Sequence, residues 1–192
     1  MHWFTVVALL IVAMPACAQS DAPLSAKEKL KLHAGETCTA GFAVEMAAYS
    51  GILHWMNVPT EWEQGGAAYG KRLASASAAT GIRNLFAFTL DAALHEDPRY
   101  QRSGHGNVLR RSGHALREIF VTRTDRGGRR FATWRFGSAV GAAYLSNLWY
   151  PDRLRTVESG LEQGAATIGL DLLGNLASEF WPDIKRKLLR HR

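Results

Sequence analysis

Apolar side chains recur along this chain at steps of three and four. Over 108–123, Val108, Leu109, Ser112, Leu116, Ile119 and Phe120 fall on one side of a helical projection, and Arg110, Arg111, His114 and Arg117 on the other, as in an amphipathic helix. Ile82, Leu85, Phe86, Leu90 and Leu94 repeat the same spacing before the stop at Asp97-Pro98. Val157, Leu161, Ile168, Leu172, Leu176 and Phe180 do so in a last long segment, expected to begin near Asp152 and to end at Trp181-Pro182. Ser25 followed by Glu28 has the spacing of a capping box and opens a short first helix, Leu24–His33. Two further stretches, 37–57 and 131–150, are apolar almost throughout and end at Val58-Pro59 and Pro151. Thr60 is placed to cap a helix starting at Glu61, with Gly81 as a point of close approach or a break. Arg99–Asn107 reads as a loop and Asp125–Gly128 as a turn. No segment sustains the two-residue alternation of a strand, and no Asn-Gly or Asp-Gly hairpin turn occurs. The expectation is an all-α fold: a single compact, bundle-like domain of five or six helices with close packing through Gly and Ala.

The N-terminus changes the picture of where the chain works. Phe4–Met14 is an apolar run of 11 residues followed by Ala16-Cys17-Ala18, a signal-peptide h-region and an A-x-A cleavage signal. Residues 1–18 are therefore expected to be an export signal cut after Ala18, 19–23 a linker, 24–183 the helical domain and 184–192 a basic tail. A rival reading lipidates Cys17. Cys38 then has no internal disulfide partner, and the expectation for it is a small buried apolar residue.

Small residues recur four apart at Gly66/Gly70, Gly137/Gly141 and Gly160/Gly164, with Ala139/Ala143 beside them. This spacing lets helix backbones approach closely, inside a bundle or between copies of a chain. The longest charge-free run, Phe136–Pro151, is 16 residues, about 24 Å as a helix and short of the roughly 30 Å hydrocarbon core.

The net charge of +6 is unevenly spread: −3 over residues 19–98, +8 over 99–135, −4 over 136–184 and +5 over 185–192. All ten basic residues of the second segment are Arg, the side chain best suited to planar contact with phosphate or carboxylate. Arg110, Arg111, Arg117, Lys185, Arg186 and Lys187 are the candidate contacts with an anionic surface. Ile184, Leu188 and Leu189 could form an apolar strip opposite the cations of the tail. In an exported protein the anionic partner is a lipid head group or another envelope component, and nucleic acid is excluded. The competing reading pairs these Arg internally, with Glu45 or Asp171 as partners.

Catalytic signals are sparse. Asp91 and His95 stand four apart, which would put them on one helix face with Tyr100 nearby, where a carboxylate could orient an imidazole. Those three are the candidate catalytic residues. No G-x-S-x-G or H-E-x-x-H occurs, the Gly-His-Gly and Gly-Gly pairs follow no predicted strand, and neither a metal nor a cofactor is expected.

Five short blocks carry a resemblance: Gly65–Arg72, Asp97-Pro98-Arg99-Tyr100, Phe120–Asp125, Ser146-Asn147 with Tyr150-Pro151, and Glu179–Ile184. Together they resemble a group of uncharacterised exported bacterial helical proteins. The resemblance spans most of residues 24–188 and implies a helical, envelope-associated protein with no assigned activity. The reading is thus an exported cell-envelope protein, non-enzymatic and peripheral to an anionic membrane surface. The alternative is an envelope hydrolase or metal-dependent enzyme centred on Asp91 and His95.

Overall fold

Ser25 opens the first helix, α1 (Ala26–Thr37), through the expected reciprocal cap: its hydroxyl accepts from the Glu28 amide while the Glu28 carboxylate accepts from the Ser25 amide at 2.8 Å. The computed structural model describes residues 22–190, with side chains as far as Lys187. The expected export signal, its expected cleavage site and Cys17 lie outside the described residues.

Helix α2 (Ala40–Trp55) follows after only two residues and is capped by Thr39. Cys38 sits in that link with an exposed thiol, not in the core as expected. A turn leaves no neighbouring helix to cover it. The helix expected from Glu61 is a single 3-10 turn, Thr60–Trp62. Glu63 and Gly65 take positive φ (60° and 103°), which holds off helical propagation until α3 (Gly66–Leu94). That helix runs unbroken through Gly81 and ends where His95 adopts φ 56°.

Helix α4 (Val108–Phe120), capped by Asn107, is shorter than its apolar pattern suggests. Val121–Thr124, expected to continue it, is strand β2, rich in the β-branched residues that favour extended backbone. It lies between β1 (Glu96–Asp97) and β3 (Arg129–Phe131) in a small antiparallel sheet, with Asp97 opposite Arg123 and Thr122 opposite Arg130. The Asp125–Gly128 turn closes the β2–β3 hairpin, with Gly127 at φ 83°. Helix α5 (Thr133–Ser146) then begins without a side-chain cap of its own. The buried Glu96 carboxylate supplies one, accepting from the Trp134 amide at 2.9 Å. A 3-10 turn (Asp152–Leu154) leads to α6 (Val157–Arg190), which passes through Pro182. Residues 184–190 therefore prolong α6 and are not a separate tail. Arg111 holds the helix on both sides of Pro182, through Glu179 and Asp183.

α3 packs against α1, α2 and α5, α5 against α6, and α6 against α4. Small side chains make these crossings: Ala68, Ala87, Ala115, Ala132, Ala139, Ala142 and Ala143 are buried, with Met46, Ile119 and Trp134 as the larger core members. A Cβ on Gly141 would meet the Phe86 ring at 3.2 Å, and one on Gly160 the Tyr144 ring at 3.0 Å. Gly66, Gly70 and Gly81 face open space, so the close approach expected there is absent. Among the described residues no helix is long and apolar enough to cross a membrane. The molecule is an all-α bundle-like domain carrying one small sheet.

Candidate functional site

The three catalytic candidates are held apart. Asp91 is fully buried, with Oδ2 2.6 Å from His33 Nε2. Lys29, also buried, donates to the Asp91 carbonyl at 3.1 Å and to Asp125 Oδ2 at 2.9 Å. This network fastens α1 to α3 and to the hairpin turn. Burial alone would lower the His33 pKa, but its bond to Asp91 and the nearby Glu36 raise it to about 9, while burial raises that of Asp91 against the pull of His33 and Lys29. His95 is exposed, because its left-handed backbone carries it off the helix, and the four-residue register with Asp91 is lost. Tyr100 donates to Glu179 on α6 at 2.7 Å.

Glu179, not among the candidate site residues, has a carboxylate bonded to four different residues. It is fully buried in α6. Its two oxygens accept from the Tyr100 hydroxyl, the Ser103 and Gly104 amides (2.9 Å each) and Arg111 Nε (2.9 Å), while Arg111 also donates to its backbone carbonyl. Burial works to raise its pKa, and these donors outweigh burial and hold it below the usual carboxylate range. Burial and Glu179 together push the Tyr100 phenol far above its ordinary value. The one hint in the sequence is a carboxylate set among Leu176, Phe180 and Trp181.

The expected internal pairing is present at Asp171, 3.2 Å from Arg135 and 2.6 Å from Arg83. Glu45 is exposed instead. Arg72 is fully buried without a carboxylate partner. It donates to the carbonyls of Val58 (2.8 Å), Pro59 (2.9 Å) and Glu63 (3.0 Å) and to the Asn57 side chain, and lies against His54. It thereby locks the 57–63 loop that carries Trp62. Trp62 lines an open groove of about 470 Å³ with Lys71 and with Trp149, whose indole donates to Ser75 at 2.8 Å.

The cationic candidates divide. Arg111 does not present itself to a surface: it pairs with Glu179 and with Asp183 (2.5 Å) and stacks on Phe180. Arg186 shares Asp183 at 2.7 Å. Arg110, Arg117, Lys185 and Lys187 are exposed. Helix α4 is turned from its expected setting. Arg111, Ala115, Glu118 and Ile119 face inward, whereas Val108, Leu109, Leu116 and Phe120, expected on the buried side, are exposed, Leu109 at 82%. The inward pull of Glu179 on Arg111 sets this rotation. Leu188 and Leu189 lie on α6, but their side chains are outside the described ones.

Among the described residues no group of three His, Cys, Asp or Glu side chains is placed to hold a metal ion. No family model, curated protein or solved structure matches the chain.

Proposed function

We propose that this protein is an exported, non-enzymatic helical component of the cell envelope that lies against a membrane. One observation carries the reading: several large apolar side chains stand exposed while several charged ones are buried. Arg72, Asp91, Arg135 and Glu179 are buried, while Trp55 (72%), Leu85 (62%), Leu148 (70%) and Leu109 (82%) stand exposed. Water gives no return for exposing large apolar side chains, and an accumulation of them marks a surface that meets protein or lipid. Export rests on Phe4–Met14 and Ala16–Ala18. The enzyme alternative draws no support from the side chains it needs, since Asp91, His95 and Tyr100 do not converge.

Fractionation of cells carrying a tagged full-length chain tests the reading. The protein is expected in the membrane pellet at low salt, and recovery in the soluble fraction would overturn the proposal. Intact-mass measurement of the purified protein checks export, with a chain beginning at Gln19 as the expected result.

A further inference from the structure

We infer that the outer side of α4, together with the last described turns of α6, is the surface that meets an anionic lipid bilayer; this rests on the membrane reading above and gives it a specific face. The two most basic segments of the sequence, separated by some fifty residues, come together here. Val108 and Arg111 from α4 line one open groove of about 570 Å³ with Phe180, Asp183, Ile184, Arg186 and Lys187 from α6. Beside it, Leu109, Leu116 and Phe120 follow one another at steps of seven and four along the outer side of α4, and all are exposed. Arg110 and Arg117 flank that row, and Lys185 and Lys187 extend the basic edge along α6. Among the described residues none of these four cations makes an ion pair.

The carboxylate that lines this groove, Asp183, is committed to other cations, being shared by Arg111 and Arg186. Glu118, the only acidic residue in α4, is buried. A helix of 13 residues with an apolar row beside a pair of cations suits the plane of a head-group layer, where the leucines enter the acyl boundary and the guanidinium groups stay with the phosphates. At about 20 Å it is too short to cross. A nucleic acid would satisfy the cations but leave Leu109, Leu116 and Phe120 in water, so the apolar row decides for lipid.

The test is co-sedimentation of the full chain with vesicles of phosphatidylcholine alone and of phosphatidylcholine with phosphatidylglycerol. Wild type is expected to favour the anionic vesicles. Arg110→Gln/Arg117→Gln should lower that partition about thirtyfold, at roughly fivefold per cation near the surface. Leu109→Asp/Leu116→Asp should abolish it, and Lys27→Gln/Lys31→Gln, a charge-matched pair on the exposed side of α1, should leave it unchanged. Thermal melts show whether the variants are folded; an acidic residue at 109 suits the first turn of a helix. Full binding by both folded α4 variants would overturn this assignment and leave the membrane reading standing on another face. Failure of wild type to bind either vesicle, or retention of an oligonucleotide in its place, would overturn both.

Discussion

Glu179 gathers three stretches of chain that are distant in sequence: the 100–104 loop through Tyr100, Ser103 and Gly104, helix α4 through Arg111, and its own α6. Removing one partner of a buried pair leaves the other charged without its counter-charge, which costs more than forming the pair gains. Glu179→Gln is therefore expected to lower stability by about 3 kcal/mol in urea denaturation. Tyr100→Phe, which deletes one neutral donor to the same carboxylate, should cost about 1 kcal/mol. Because the Glu179 pKa is depressed, its contribution is present above the ordinary carboxylate range and fades as pH falls through the folded-state value. The variant should accordingly lose less stability than wild type on acidification. None of this could be read from spacing, since Glu179 meets partners 68 to 79 residues away.

At the scale of elements, the glycines separate by what faces them. Gly141→Ala pushes a methyl group against the Phe86 ring and should destabilise by about 1–3 kcal/mol. Gly70→Ala and Gly81→Ala, with open space at both positions, should stabilise by about 0.5–1 kcal/mol each. Thermal melts of the three variants separate the cases, and equal effects would contradict the packing described. The same contrast shows what the sequence could and could not reveal. Local chemistry was readable: the Ser25–Glu28 box and the Asp125–Gly128 turn stand where the pattern puts them, and the apolar periods of 82–94 and 157–180 fall on helices, although Leu85, Val157 and Leu161 are exposed and α6 runs past Pro182. Features set by distant partners were not. The β2 strand pairs with a two-residue strand some 25 positions earlier, and the rotation of α4 is dictated by Glu179. An apolar stripe identifies a helix, but whether the stripe turns inward is decided by what the rest of the chain offers to its polar side.

The whole molecule responds to pH through the junction of α1 with α3. His33 carries a folded-state pKa of about 9 against an ordinary 6.5, so its bond to Asp91 contributes fully below about pH 6.5 and is lost as pH rises through 9. Melting temperature is expected to fall across that window, and His33→Gln should flatten the fall while lowering stability at neutral pH. Arg72 sets a different rule at the opposite flank of α3. Its guanidinium is held by the carbonyls of Val58, Pro59 and Glu63, by the Asn57 side chain and by His54 Nδ1 at 3.2 Å, and alkali removes none of these acceptors. The two seams on α3 thus open in a fixed order under alkali. Amide exchange should quicken first along residues 26–37, while the segment around Pro59 stays latched, so the bundle comes undone from its N-terminal strap rather than all at once.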